Sequence, residues 1–141
     1  MKEKRFDPQK DYPVGSRRPD LVGTLSGKKL SDITLERVAS GRIGPQDIRI
    51  GPEVLELQAQ VAEAHGRVQM AANFRRAAEL TGVPDEEILR IYHALRPRRS
   101  TKVELLEIAK QLEERYQSPI NADFVREAVE NYETRDLLKK R

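Results

Sequence analysis

The sequence predicts an all-α fold, a small bundle of four to five amphipathic helices preceded by an extended N-terminal arm. Three observations carry that prediction. Apolar residues from position 52 onward recur at three- and four-residue spacing, one face at a time. The periodic runs are separated by Pro, Gly and Ser-Pro breaks at helical lengths. No polar–apolar alternation lasts more than a few positions, and there is neither an internal repeat nor a sustained heptad. The length of 141 residues fits one domain, divided into the arm, residues 1–30, and a helical body, residues 31–141.

Residues 1–30 show neither period. Pro8, Pro13, Pro19, Gly15, Gly23 and Gly27 interrupt them, while Tyr12, Val14, Leu21, Val22 and Leu25 come singly. Helical text begins at Leu30. A short helix is expected over Thr34–Ser40, stopped by Gly41, and Gly44-Pro45 opens a brief turn or helix. Pro52 suits the first position of a longer helix, where its missing N–H costs nothing. Val54, Leu57 and Val61 give that helix an apolar stripe, and His65-Gly66 ends it. A second run follows from Arg67 to Thr81, with Met70, Ala71, Phe74, Ala77 and Ala78 as its buried side and Gly82 as C-cap.

The next helix opens at Pro84. Asp85, Glu86 and Glu87 complement the positive end of its dipole, and Ile88, Ile91, Tyr92 and Leu95 form one face before Pro97. Thr101-Lys102-Val103-Glu104 fits a capping box leading into a stripe of Leu105, Ile108, Ala109, Leu112 and Tyr116. After the break at Ser118-Pro119, Asn121 is expected to cap a last helix carrying Val125, Ala128, Val129 and Tyr132. The tail Lys139-Lys140-Arg141 is expected to fray.

Composition limits function. With 38% hydrophobic residues, 35% charged, no Trp and seven other aromatics, the core must be modest. Such helices leave part of their apolar surface for a partner to cover. The absence of Cys removes disulfides and thiolate metal sites. No apolar run reaches the roughly 18 residues of a membrane span, and the N-terminus lacks the apolar stretch of a signal peptide, so a cytoplasmic protein is expected. Residues 1–30 hold eight Lys/Arg against four Asp/Glu, a net +4 within a chain total of +3, so the basic excess is assigned to the arm.

No catalytic constellation emerges. His65 and His93 lie in different predicted helices, and neither forms a metal-binding pair. Asp85-Glu86-Glu87 point in different directions around their helix, which favours capping over cation binding. Arg96-Pro97-Arg98-Arg99 either neutralises a helix C-terminus or anchors carboxylates of a partner. Ala78, Gly82 and Ile88 have the spacing of a DNA-binding helix-turn-helix. The end that would enter the groove, however, carries three carboxylates, which repel phosphates, so no nucleic-acid partner is expected and a helix-turn-helix DNA-binding protein stands as the alternative reading.

Asn73-Phe74-Arg75-Arg76-Ala77-Ala78-Glu79-Leu80, Val83-Pro84-Asp85, Ile91-Tyr92, Ala94-Leu95-Arg96-Pro97 and Arg99-Ser100-Thr101 resemble the small subunit of adenosylcobalamin-dependent diol and glycerol dehydratases. Asp11-Tyr12-Pro13, Asp32-Ile33-Thr34-Leu35-Glu36, Gln46-Asp47-Ile48-Arg49-Ile50, Glu104-Leu105-Leu106, Ile108-Ala109 and Phe124-Val125-Arg126-Glu127 are similar in turn. The resemblance implies a dimer of heterotrimers of large, medium and small chains that converts a 1,2-diol or glycerol to an aldehyde and water. It places substrate and potassium in the large subunit and adenosylcobalamin between the large and medium ones, and it transfers no catalytic, cofactor or metal residue to this chain. The few residues before Asp11-Tyr12-Pro13 lean towards the shorter, glycerol dehydratase-like form and put packaging in a bacterial microcompartment through this chain in doubt. Tyr12, Leu21 and Val22 are the candidate arm contacts to the large subunit, with Arg96, Arg98 and Arg99 as candidate polar contacts.

Overall fold

The computed structural model describes residues 5–140, and these are helical with no strand; one isolated bridge joins Gly23 and Lys29. Seven α-helices occur among them: α1 (Val14–Arg17), α2 (Leu35–Ala39), α3 (Pro52–Ala64), α4 (Val68–Leu80), α5 (Asp85–Ala94), α6 (Lys102–Glu114) and α7 (Pro119–Thr134). The five long ones are the bundle helices expected from the apolar periods. Contacts within the chain fall into two compact units that divide between Ala78 and Glu79.

In the first unit the arm is less extended than its Pro and Gly content suggests. It carries α1 and short 3-10 turns at Pro19–Leu21 and Leu30–Asp32. The cause is a local charge clamp. Arg18 donates to Asp20 at 2.8 Å and to Asp11 at 3.3 Å, Asp11 also accepts from the Asp7 N–H at 2.9 Å, and Val14 is buried between these pairs in sequence. Downstream, Asp47 accepts from the Gly44 N–H at 2.9 Å, from Ser26 Oγ at 2.6 Å and from Lys28 Nζ. These bonds tie the 23–29 turn, where Gly27 takes φ +78°, to the 3-10 turn Pro45–Ile48. Thr34 caps α2 by accepting from the Arg37 N–H, and Gly41 (φ +73°) stops the chain from continuing it.

Helix α3 starts with Pro52 and ends at His65-Gly66, where Gly66 (φ +71°) supplies the left-handed turn. Its buried stripe is Leu55, Ala59, Val61 and Ala62, whereas Val54 and Leu57 are only half-buried. Ala59 and Ala62 pack with Ala71 of α4, with Phe74 against them, and the buried face they share with Leu55 and Val61 leaves Val54 and Leu57 on its flank. Met70, expected in the core, is exposed. Arg75 clasps Glu56 (3.2 Å) and Glu63 (2.8 Å) across the α3–α4 pair, which holds its guanidinium above the usual arginine range and Glu63 below the usual carboxylate range.

The second unit is built around Leu105, Ile108, Ala109 and Leu112 of α6 and Ala122, Val125 and Val129 of α7, with Val83 and Ile91. The Thr101 capping box is present: Thr101 Oγ1 accepts from the Glu104 N–H, and Glu104 accepts from the Thr101 N–H at 2.7 Å. Lys102 at the start of α6 pairs with Glu133 at the end of α7 (2.8 Å), and Glu113 near the end of α6 pairs with Arg126, so α6 and α7 run antiparallel. Arg90 of α5 pairs with Glu87 and reaches Gln111 of α6 at 3.1 Å.

Three expectations are corrected here. Gly82 is not a left-handed cap; its N–H donates to the Glu79 carbonyl in a tight turn. Asn121 lies inside the first turn of α7 and does not cap it. Glu79 supplies that cap, accepting from the Ile120 and Asn121 N–H groups (both 3.0 Å) and from Asn121 Nδ2 (2.8 Å). The tail is also held: Lys139 N–H donates to the Ser100 carbonyl (2.9 Å), Arg98 N–H donates to Leu137 (2.7 Å), and Leu138 packs on the core. Arg141 lies outside the described residues.

Candidate docking surfaces

In the first unit the arm meets the α3–α4 pair at an open cavity of about 410 Å³, lined by Tyr12, Val61, Ala62, His65, Arg67, Met70 and Phe74. Tyr12 is 52% exposed there. His65 Nδ1 is committed to the Val61 carbonyl at 2.8 Å. Leu21 and Val22 are half-buried, Leu21 closing the 3-10 turn Pro19–Leu21 and Val22 lining a shallow depression with Lys28, Leu30 and Ser31. Exposed apolar side chains continue past these candidates, through the end of the arm and into the residues that follow it. Leu25, Leu30, Leu35, Val38, Ile48 and Ile50 are exposed, Leu35 at 85%. Their signal in the sequence was the isolated apolar residue in a short, charged helix or turn.

In the second unit Tyr92 leaves the face assigned to it and is 72% exposed. With Leu80, Ile88, Leu95 and Phe124 it borders an apolar cleft of about 140 Å³. Leu89 and Ile120 are exposed as well. What these exposed apolar side chains offer is burial on contact with another surface.

Arg96, Arg98 and Arg99 share the loop between α5 and α6 and are exposed. The backbone pairing of that loop with the tail brings Arg135 and Lys139 to the same end of the unit, a gathering that periodicity could not reveal. Asp85, Glu86 and Glu87 occupy the first turn of α5 as expected for capping, and Glu87 is engaged by Arg90, which holds its carboxyl below the usual range.

Among the described residues no group of three or more His, Asp or Glu side chains stands where it could hold a metal ion, and no helix is long and apolar enough to cross a membrane.

A family model described as "Dehydratase small subunit" matches residues 8–139. Two relatives, both named propanediol dehydratase small subunit, are similar across most of the chain. The Citrobacter freundii protein is 55% identical over 129 residues, 92% of this chain and 75% of the relative. The Salmonella typhimurium protein is 56% identical over the same shares. With this match over almost the whole of its length, the chain belongs to the dehydratase small-subunit family.

Proposed function

We propose that this chain is the small, non-catalytic subunit of a propanediol dehydratase, a hydro-lyase that converts 1,2-propanediol to an aldehyde and water. The similarity to two propanediol dehydratase small subunits over 92% of the chain carries this reading. It also favours the diol over the glycerol form suggested by the length of the arm. Adenosylcobalamin supplies the radical chemistry, bound between large and medium subunits, and potassium sits with the substrate in the large one; this chain contributes no ligand to either. The assembly is a dimer of heterotrimers in the cytoplasm, free or enclosed in a microcompartment.

The chain's role is to bind and stabilise the large subunit. Residues 1–30 act as a docking arm and residues 31–141 as the helical body, with Tyr12, Leu21, Val22, Arg96, Arg98 and Arg99 among the contacts. The exposure of Tyr12 beside an open cavity and the uncovered apolar side chains from Leu25 to Ile50 support a partner that buries them. DNA binding gains nothing from the acidic first turn of α5.

Co-expression with large and medium dehydratase chains, pull-down on a tag carried by this chain, and an assay of cobalamin-dependent aldehyde formation from 1,2-propanediol and glycerol test the proposal. A stoichiometric complex that is active only with this chain present is expected, with the diol as the better substrate. A large–medium complex of full activity that leaves this chain behind refutes the subunit role. Deleting residues 1–30 is expected to weaken assembly, and unchanged affinity refutes the docking arm.

A further inference from the structure

The sharpest segregation of charge in the folded chain is at one end of the second unit. Residues 96–102 and 133–140 carry seven Lys/Arg against two Asp/Glu, a net +5, although the whole chain sums to +3. Two backbone hydrogen bonds hold these segments together, Arg98 N–H to the Leu137 carbonyl and Lys139 N–H to the Ser100 carbonyl. Each segment turns towards the other through a non-glycine residue in the left-handed region, Arg98 at φ 63° and Asp136 at φ 52°. Tyr132 Oη donates to the Leu95 carbonyl at 2.5 Å and fixes the base of the arrangement.

The two acids here are already occupied, Glu133 by Lys102 (2.8 Å) and Asp136 by Lys140 (2.8 Å). Arg96, Arg98, Arg99, Arg135 and Lys139 are exposed and form no close salt bridge among the described residues, although Lys139 also faces Glu104 and Arg98 also faces Asp136. Four guanidiniums and one ammonium are therefore displayed on a backbone-bonded loop–tail clasp, in excess of the carboxylates around them. Arginine forks suit planar, bidentate acceptors, and a rigid backbone lowers the entropy lost when several engage together. Neither segment contains an aromatic residue to stack on a base, Tyr132 beside them is half-buried with its hydroxyl committed, and the exposed Tyr92 lies outside the clasp on α5. The donors therefore fit carboxylates of a protein surface better than nucleic acid.

We infer that this loop–tail clasp docks a carboxylate-rich surface of the large dehydratase subunit and steers the association of the two chains. The inference rests on the small-subunit reading and extends it to Arg135 and Lys139, which reach the site only through the fold.

The test uses the full chain, tagged and immobilised, with the co-expressed large–medium complex in solution. Association rates are measured across a range of salt. The wild-type rate is expected to fall by about tenfold as salt is raised from low to above physiological strength. An R96E/R99E/R135E chain is expected to bind about tenfold more slowly at low salt, with its salt dependence largely gone. Its circular dichroism should match wild type, with melting lowered by only a few degrees, because all three side chains are exposed and only the charge–dipole attraction at the ends of α5 and α7 is lost. R96K/R99K/R135K should keep the wild-type association rate and dissociate faster, having charge without the fork.

A charge-reversed chain that associates as fast as wild type, with the same salt dependence, overturns the inference. If neither chain associates with the other subunits at any salt, the small-subunit reading itself has failed. If wild type binds a short DNA duplex, the reversed chain does not, and subunit association is unmoved, the cations serve nucleic acid and the inference is likewise overturned.

Discussion

Removing the Glu79 carboxylate should destabilise the second unit well beyond an ordinary surface change. The group lies near the end of α4 and accepts three hydrogen bonds from the start of α7, two from backbone N–H groups and one from the Asn121 amide. It does for α7 what a side-chain N-cap normally does, and its negative charge faces the positive end of the helix dipole. Losing a cap costs about 0.5–2 kcal/mol, and a charged hydrogen bond contributes about 1.5–3 kcal/mol. These costs do not add in full. Ile120 is exposed and its N–H can find water, whereas Asn121 is 7% exposed and largely cannot. For Glu79→Ala a loss of about 2–3 kcal/mol follows, a substantial share of the roughly 5–15 kcal/mol that stabilises a typical domain.

At a urea m-value of about 1–3 kcal/mol per molar, the loss should move the denaturation midpoint down by roughly 0.7–3 M, read by circular dichroism. Glu79→Gln keeps an oxygen acceptor and loses the charge, so about half the effect is expected. Amide exchange at Ile120 and Asn121 should quicken in both variants. A Glu79→Ala midpoint within experimental error of wild type, with these amides still protected, would show that the start of α7 is held by something else.

Leu105 is fully buried, and Leu105→Ala should cost about 3 kcal/mol or more, whereas Leu35→Ala, at a residue 85% exposed, should cost less than about 0.5 kcal/mol in the isolated chain. Equal denaturation midpoints for the two variants would contradict the division between core and contact surface. Asp47 should titrate unusually low, because the Gly44 N–H, then Lys28 and Ser26, all favour its charged form. Its folded pKa lies below the unfolded value of about 3.9, so its contribution to stability is complete above that value and is lost as pH falls through the lower folded one. Carbon-13 NMR of the side-chain carboxyl should find it still ionised near pH 3, and a midpoint near 4 would refute the assignment.

Helix boundaries were legible because their causes are local. Thr34, Gly41, Pro52, Gly66 and the Thr101–Glu104 box act within four residues of the ends they set, so sequence order already contains them. The cap on α7 was not legible, since Glu79 stands about forty residues from the amides it satisfies. Faces were legible only in part. Apolar identity marks a side chain that gains from leaving water, without saying whether its own fold or a partner provides the cover. Thus Leu105, Ile108 and Leu112 enter the core as expected, while Tyr92 and Met70, equally apolar and equally in phase, stay exposed. In α3 the buried face that Ala59 and Ala62 share with Leu55 and Val61 leaves Val54 and Leu57 on its flank.

Charge was the least legible property, for a reason that can be stated from particular residues. Summed along the chain, residues 31–141 come to −1, and the basic excess belongs to the arm. That sum averages α5 and its acidic first turn together with Arg96, Arg98 and Arg99 a few residues later. Electrostatic potential depends on distance in space, with a screening length of about 8–10 Å, and not on position in the chain. Folding joins the 96–102 loop to the 133–140 tail through Arg98–Leu137 and Ser100–Lys139, where Glu133 and Asp136 are held in local pairs and Glu104 is the further carboxylate facing the cations. A body that is almost neutral on paper therefore has a basic end with a net +5. In a chain whose proposed work is to hold another subunit, separated charges of this kind bear on partner choice more directly than the total, because encounter is governed by the surface that arrives first.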